Sequence, residues 1–203
     1  MEKLKYKDIE YVLRVPTGFS EDKKYPVVIF LHGAGSRGRD LKIIEEHPFF
    51  SETKDFLSSV ISVAPQCYEN SWFTIFEQLG EFIHHIISAN YADSNKIFLV
   101  GASMGGYATW QMAMSYPELF KAIIPICGGG MYWNAERFVN MSIWAFHGDS
   151  DTVVFTEESE KMVKAINSNG GNARMTIYEN CGHDAWTPTF KNADTWVWLL
   201  SQK

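Results

Sequence analysis

A serine flanked by small residues is the first feature of the chain that could carry out chemistry. Ser103 lies in Gly101-Ala102-Ser103-Met104-Gly105, a Gly-x-Ser-x-Gly motif. An apolar run at 97–100 precedes the motif and a helical pattern follows it, which predicts a strand, a tight turn and a helix. Such a turn lifts the serine oxygen above a sheet, where it can attack a carbonyl carbon. The alternative is a glycine-rich structural turn, because the motif alone also occurs by chance.

A serine hydroxyl is a poor nucleophile at neutral pH and needs a base beside it and an acid behind that base. In this architecture the three residues follow the chain order serine, acid, histidine. Of the 6 histidines, His183 in the CGHDAW segment is the one that follows a suitable acid. The other five precede the serine, lie in a helical pattern or come before the acids. The sequence therefore predicts His183 as the base.

Two carboxylates are candidates for the acid, and both lie in the segment HGDSDTVV at 147–154. Asp149 directly follows a glycine and is suited to shaping a turn. Asp151 precedes two valines that could anchor it facing inward. We favour Asp151, although the residues alone leave Asp149 open.

Backbone amides should stabilise the oxyanion that forms during acyl transfer. One amide is expected from the residue after the nucleophile, Met104, and a second from the loop after an early strand. That loop is LHGAGS at 31–36, and Ala34 is the predicted donor. A phosphate cradle is the alternative for this glycine-rich loop, but the GxxxxGK[ST] pattern is not present in the sequence.

Large aromatic residues near these segments could line a substrate pocket. The chain has 7 tryptophans, of which four fall within predicted helices or strands and are expected in the core. Trp72, Trp133 and Trp186 fall in loops, and each is predicted either to contact substrate or to pack inward. Gln66 is a further polar candidate for substrate binding.

The elements that must position these residues alternate between strands and helices. Short apolar runs predict buried parallel strands, and apolar residues three and four apart predict a helix at 76–87. Further helices are expected at 105–116, 156–167 and 192–201. The segment 9–15 alternates polar and apolar residues, which predicts an antiparallel edge strand at the N-terminal end of the sheet. The predicted strands are at 27–31, 60–64, 97–100, 122–126, 143–146 and 175–178.

The expected fold class is therefore α/β, with a mostly parallel central sheet and helices on both faces. The connection between the strands at 122–126 and 143–146 is short, so no large lid domain is expected. A length of 203 residues with 46% apolar residues fits one domain over residues 1–203.

Composition limits the partners. The net charge is −6 and the basic residues are scattered, which argues against nucleic acid as a partner. The N-terminus does not have the pattern of a signal peptide, no run reaches membrane-spanning length, and 3 widely spaced cysteines suggest no disulfide framework or metal motif. We expect a cytoplasmic protein unless a leader was removed before Met1. No metal or cofactor is predicted; the expected partner is a small-molecule ester, and a homodimer stays open.

Taken together, the motifs resemble the phospholipase/carboxylesterase and dienelactone-hydrolase-like branch of the α/β hydrolases. Within it the chain is similar to small bacterial esterases described as predicted peptidases or polyhydroxybutyrate-depolymerase-like esterases. The resemblance implies a Ser-Asp-His triad in which the second aspartate of HGxxD, here Asp151, is the acid. The chain departs from these relatives at YENSW, 68–72, where they often have a further proline. The segments that carry the resemblance are FLHGAG, APQC, GASMGGY, PICGGG, HGDSD and GHDAW.

The function predicted from these features is a serine carboxylesterase that cleaves short-chain or small-alcohol esters through an acyl-enzyme. A peptidase or thioesterase would use the same triad and is the main alternative. A non-catalytic binding module that kept the fold is a further alternative, because fold does not determine function. The presence of all three triad candidates argues against it.

Overall fold

Eight strands form one sheet in the computed structural model, which describes residues 1–202. The strands are β1 (Glu2–Tyr6), β2 (Ile9–Arg14), β3 (Tyr25–Leu31), β4 (Ile61–Pro65), β5 (Ala92–Ala102), β6 (Ala122–Ile126), β7 (Ser142–Gly148) and β8 (Ala173–Tyr178). Their order in the sheet is β1-β2-β4-β3-β5-β6-β7-β8. The last six strands in this order are parallel to one another. The strand β2 pairs antiparallel with β4 on one side and with β1 on the other.

Helices cover both faces of this sheet. They are α1 (Leu41–Glu45), α2 (Pro48–Glu52), α3 (Phe76–Ile87), α4 (Met104–Ser115), α5 (Glu157–Ser168), α6 (Trp186–Lys191) and α7 (Ala193–Ser201). The helices α3, α4 and α5 contribute to one hydrophobic core, and α1, α2, α6 and α7 contribute to the other. The predicted α/β class, with a mostly parallel sheet between two helical layers, is therefore confirmed.

The strand β3 illustrates why the central strands read as continuous apolar runs. Val27 and Ile29 pack into one core, while Val28 and Phe30 pack into the other. All four side chains are at most 1% exposed. A strand covered on both faces has no solvent side, so its sequence does not alternate with polar residues.

The predicted antiparallel edge strand is antiparallel but does not lie at the edge. The strand β2 pairs with β4 on one side and with β1 on the other. The sequence EKLKY of β1 gives no clear apolar signal, because Leu4 and Tyr6 are its only partly buried residues. Val12 of β2 is fully buried, so β2 is less exposed than the prediction supposed.

The long helices follow their predicted positions closely. The helix α3 has the predicted bounds, and α4, α5 and α7 are each shifted by about one residue from their predicted starts or ends. Three helices of five or six residues, α1, α2 and α6, were not predicted, since so few residues show no periodicity. Residues Tyr132–Phe138 form 3-10 turns with a kink at Asn134, and this short segment occupies the connection where no lid was expected.

Within residues 1–202 no helix is both long enough and apolar enough to cross a membrane.

Candidate active site

Ser103 lies on the sharp turn between β5 and α4. Its φ and ψ angles are 56° and −118°, a conformation that few residues other than glycine adopt. Its amide donates a hydrogen bond to the Ile126 carbonyl, with a distance of 2.9 Å. A side chain at Gly105 would collide with the Leu31 carbonyl, and one at Gly101 would collide with the Gly105 carbonyl. The small residues of the motif are therefore required for β5, α4 and β3 to meet at this turn.

The structure brings Ser103, His183 and Asp151 together, although they are separated by up to 80 positions in the chain. The Ser103 Oγ atom is 2.8 Å from His183 Nε2. On the other side of the ring, His183 Nδ1 is 2.7 Å from Asp151 Oδ2. The three groups thus form one continuous hydrogen-bonded chain from hydroxyl to carboxylate. This arrangement can remove the serine proton and stabilise the resulting imidazolium.

The Asp151 carboxylate is held by more than the histidine. Its Oδ1 atom accepts hydrogen bonds from the amides of Val153 at 2.9 Å and Val154 at 3.0 Å. Burial acts to raise the pKa of Asp151, but the hydrogen bonds from His183 and the two amides outweigh it and hold the pKa below its ordinary value. The carboxylate is therefore ionised at neutral pH.

Asp149, the other acid candidate, stabilises the loops beside the site through its hydrogen bonds. Its Oδ1 atom accepts hydrogen bonds from the Ser150 hydroxyl at 2.8 Å and from the Cys181 amide at 3.3 Å. These bonds connect the end of β7 to the loop that carries His183. Asp149 is exposed and makes no hydrogen bond to His183 among the described residues.

Two backbone amides are available near the Ser103 hydroxyl. Met104 is the first residue of α4, and Ala34 is the first residue of a 3-10 turn at Ala34–Ser36. The amide of a first helical residue has no partner within its own helix. Ala34 lines the same cleft as Ser103, and Met104 follows Ser103 directly. Both amides can therefore donate to an oxyanion that forms beside Ser103.

The loop that carries Ala34 is fixed from behind by buried side chains. His32 Nδ1 donates to the Gly33 carbonyl at 2.6 Å, and His32 Nε2 accepts from the Cys67 amide at 2.9 Å. Burial lowers the pKa of His32 to about 4, so the ring is neutral at pH 7. Its single proton therefore lies on Nδ1.

Two residues predicted to bind substrate belong to this support. Trp72 is fully buried, and its Nε1 donates to the His32 carbonyl at 3.0 Å. Gln66 is 1% exposed and donates to the Ser36 carbonyl at 3.0 Å. The prediction that Trp72 and Gln66 contact substrate is corrected accordingly, because both are buried behind the loop.

A cleft of about 330 Å³ opens above Ser103. Trp186 lines it and meets the His183 ring edge to face, with 5.4 Å between ring centroids. Trp133, the third tryptophan considered for the pocket, is 72% exposed and packs against Tyr132 outside the cleft. The residues that line the cleft are Gly33, Ala34, Gly35, Ser36, His47, Ala102, Ser103, Val153, His183 and Trp186.

His47 and Val153 line the cleft although no motif pointed to them. His47 caps α2, and its Nδ1 accepts from the Phe49 amide at 3.1 Å. Burial lowers the pKa of His47 to about 4, so the ring is neutral and its proton lies on Nε2. A histidine directly before a proline at a helix start was the available sequence signal, but it indicates a cap and not a pocket.

Cys127 is a further reactive residue close to the triad. Its thiol lies within 4.8 Å of the ligating atoms of Asp151 and His183, which makes these three the group in residues 1–202 that could hold a metal ion. Burial raises the pKa of Cys127, so the thiol stays protonated. Asp151 and His183 are bonded to each other. The arrangement thus fits proton transfer better than metal binding.

The sequence is similar to those of several known esterases. Residues 58–193 match the Dienelactone hydrolase family. A probable feruloyl esterase C of Aspergillus terreus is 25% identical over 169 residues, which cover 80% of this chain. Acetylxylan esterase A of Aspergillus awamori is 31% identical over 105 residues, which cover 49% of this chain and 34% of that protein.

Solved structures show the same fold. The crystal structure of a thermostable esterase superposes with a TM-score of 0.89 and 35% identity, and the match covers 99% of this chain and 62% of that one. Est1E from Butyrivibrio proteoclasticus superposes with a TM-score of 0.77 at 14% identity, over 99% of this chain and 98% of Est1E. The chain spans 62% of the length of the Aspergillus terreus relative. The family match, which extends over more than half of the residues, agrees with the resemblance noted in the motifs: the chain belongs to the dienelactone hydrolase family.

Proposed function

We propose that this chain is a serine carboxylesterase with Ser103 as nucleophile, His183 as general base and Asp151 as the orienting acid. The observation that carries the proposal is the continuous hydrogen-bonded chain of these three residues, with contacts of 2.8 and 2.7 Å, at the base of an open cleft. The names of the related feruloyl and acetylxylan esterases support an ester as the substrate.

In the first half of the reaction, Ser103 Oγ forms a bond to the ester carbonyl carbon while its proton moves to His183 Nε2. The carbonyl electron pair moves onto the oxygen, which accepts hydrogen bonds from the Ala34 and Met104 amides. The tetrahedral intermediate collapses when the bond to the leaving oxygen breaks, and the leaving alcohol takes the proton from His183. An acyl group is then bound to Ser103.

Water completes the second half by the same route. A water molecule gives its proton to His183 as its oxygen bonds to the acyl carbon. The bond between that carbon and Ser103 Oγ breaks, Oγ regains the proton from His183, and a carboxylic acid leaves. Asp151 stays ionised throughout and stabilises the imidazolium in both halves.

The walls of the cleft support esters of compact or aromatic acids. Val153 and Trp186 provide apolar surface, and neutral His47 provides a ring N–H without depending on pH near neutrality. We infer that the acyl group binds between these walls, with aromatic acyl esters and acetyl esters as the first substrates to compare. Small-molecule esters are thus the proposed partners.

The test combines active-site labelling with turnover. A fluorophosphonate probe should label the wild type, and p-nitrophenyl acetate should be hydrolysed. Ser103→Ala should abolish the labelling and reduce kcat by several orders of magnitude. Ser36→Ala is the matched control, because Ser36 is the other serine that lines the cleft. Wild-type turnover by Ser103→Ala would contradict the proposal.

The kind of bond is tested separately. Purified protein is given an acyl p-nitrophenyl ester and the matching anilide. Faster cleavage of the ester by several orders of magnitude is expected, whereas comparable rates would favour a peptidase. A thioester of the same acid distinguishes the thioesterase alternative.

A further inference from the structure

His147 is a buried histidine for which the proposed mechanism gives no role. It is the second-last residue of β7 and is fully buried. Its Nδ1 atom is 2.7 Å from the Ser159 Oγ of α5. Its Nε2 atom is 2.9 Å from the Val154 carbonyl and 3.3 Å from Asp151 Oδ2. The ring therefore touches the carboxylate that orients His183.

Counting protons in these contacts determines the charge of the ring. Ser159 Oγ is also 2.8 Å from the Gly128 carbonyl, which can only accept, so the single Ser159 proton points there. Ser159 Oγ then accepts from His147 Nδ1. The Val154 carbonyl likewise accepts from His147 Nε2. Both ring nitrogens must donate, and a histidine with two N–H groups is an imidazolium.

For His32, the same count of the protons that the hydrogen-bond partners require gives a neutral ring. One of its nitrogens faces a carbonyl, Gly33, and the other faces an N–H, that of Cys67. That ring needs one proton and is neutral. Each ring nitrogen of His147, by contrast, faces oxygen atoms, and one of these atoms belongs to a carboxylate.

The titratable groups around His147 come from each element that packs near it. Asp151 lies in the loop that follows β7, and Cys127 directly follows the neighbouring β6 and lies close to Asp151. Tyr107 of α4 lies near Asp151 and also near Glu158 of α5. Burial raises the pKa of Cys127 and of Tyr107, so both are uncharged at neutral pH. Asp151 is thus the nearest negative charge and the counter-ion of the ring.

We propose that His147 is an imidazolium, with a proton on each ring nitrogen, and acts as a positioning residue that contacts the same Asp151 oxygen as His183. The role in turnover rests on the proposed esterase function, whereas the charge of the ring does not. Through Ser159 and Val154, His147 also connects the acid loop to α5. Two histidine rings thereby contact Asp151 Oδ2.

The charge has a consequence for the working pH. His147 and His183 both contact Asp151 Oδ2, at 3.3 and 2.7 Å, so the two rings are close. A positive charge on His147 opposes the addition of a second proton to His183 in the free enzyme. Removal of the charge should shift the loss of activity to higher pH.

The charge is tested directly by NMR on the full chain labelled with ¹⁵N-histidine. Long-range ¹H–¹⁵N spectra distinguish a ring with two protonated nitrogens from either neutral tautomer, and His147→Gln assigns the signal. Both His147 nitrogens are expected to carry protons at pH 7, while His32 shows one. A single neutral tautomer of His147 at pH 7 overturns the proposal. This readout needs no substrate, so it stands or fails apart from the esterase assignment.

The positioning role is tested by the pH dependence of turnover in two variants. His147→Gln keeps a donor near Val154 but has no charge, and Ser159→Ala keeps the ring but removes the acceptor of Nδ1. Both should shift the acid limb of kcat/KM to higher pH, by about one unit for His147→Gln and less for Ser159→Ala. At pH 6, kcat should fall about tenfold or more, with KM nearly unchanged.

Control variants separate this role from a general effect on folding. His84→Gln changes an exposed histidine on α3 and should leave the profile unchanged. If His147→Gln does not fold, Ser159→Ala and the wild-type spectrum carry the test. A loss of kcat by the same factor at every pH from 6 to 9 would indicate a purely structural residue and contradict the proposed electrostatic role.

Discussion

The two oxygens of Asp151 have different tasks. Oδ1 accepts from two backbone amides and fixes the carboxylate in the loop, while Oδ2 faces His183. Because one oxygen is held by the backbone, the other cannot rotate away from the imidazole. The orientation of His183 thus depends on the acid loop as much as on the charge of Asp151.

Asp151→Asn tests this assignment at the level of one atom pair. An amide nitrogen facing His183 Nδ1 would favour the wrong tautomer, so kcat should fall by about 10⁴ with little change in the fold. The measurement is steady-state kinetics on an activated ester, with circular dichroism to verify folding.

Asp149→Asn is the matched control, since Asp149 is exposed and accepts its bonds on Oδ1. It should keep wild-type turnover within about twofold, as surface substitutions usually do. Strong loss in Asp149→Asn with activity retained in Asp151→Asn would exchange the two assignments.

The residues of the proposed triad could be predicted because their order along the chain follows from the architecture. Ser103, Asp151 and His183 meet as that order requires. His147 and His47 could not be found in this way, because their neighbours come from distant segments and no spacing marks them. Trp72 shows that a position in a loop near the site does not determine which way a side chain faces. A loop tryptophan can face a pocket or the core, and in Trp72 the ring N–H bonds to a buried carbonyl.

At the scale of elements, the close approach of α4 to β3 positions the turn that carries Ser103. Gly105, in the first turn of α4, lies against the Leu31 carbonyl, and a methyl group there would overlap it. Gly105→Ala should therefore push α4 away from the sheet and lower the free energy of unfolding by about 3 kcal/mol. Urea unfolding followed by tryptophan fluorescence measures the change.

Gly35→Ala is the stability control for this variant, because nothing lies within 4 Å of the added carbon. Its free energy of unfolding should stay within about 0.5 kcal/mol of wild type. Equal destabilisation in both variants would show that glycine content and not the α4–β3 contact is responsible.

Apolar pattern predicted the buried parts of the elements and missed their polar ends. The strand β5 begins at Ala92, five residues before its predicted start, because Ser94, Asn95 and Lys96 are exposed. The strand β1 and the helices α1, α2 and α6 were missed for a related reason: they bury few residues or are too short for a period to show. Their positions depend on what they pack against, which is not a local property of the sequence.

For the whole molecule, buried neutral histidines make stability depend on pH. His32 and His47 have pKa values of about 4 in the folded protein, against about 6.5 in an unfolded chain. Below pH 6.5 these histidines bind protons in the unfolded chain but stay neutral in the folded protein. Their contribution is therefore present above about pH 6.5 and is lost as pH falls towards 4.

When the pH reaches 4, each ring should have lowered the free energy of unfolding by on the order of 3 kcal/mol. Urea midpoints measured between pH 8 and pH 4.5 test this for the wild type and for His47→Gln. The variant should lose less stability across this interval, because one of the two rings is gone. Parallel curves for the two proteins would contradict a buried, neutral His47.

The turn at Ser103 has a consequence for the stability of the whole chain. At a φ of 56° any residue with a β-carbon is strained, so alanine does not relieve the turn and glycine does. An Ala-to-Gly change ordinarily lowers the free energy of unfolding by about 0.5–1 kcal/mol. Here the Ser103→Gly variant should nevertheless have a melting temperature, measured by calorimetry, no lower than that of Ser103→Ala. A clearly lower melting temperature for the glycine variant would contradict strain at this turn. For the proposed nucleophile, reactivity of the side chain and stability of the fold thus place opposite demands on one residue.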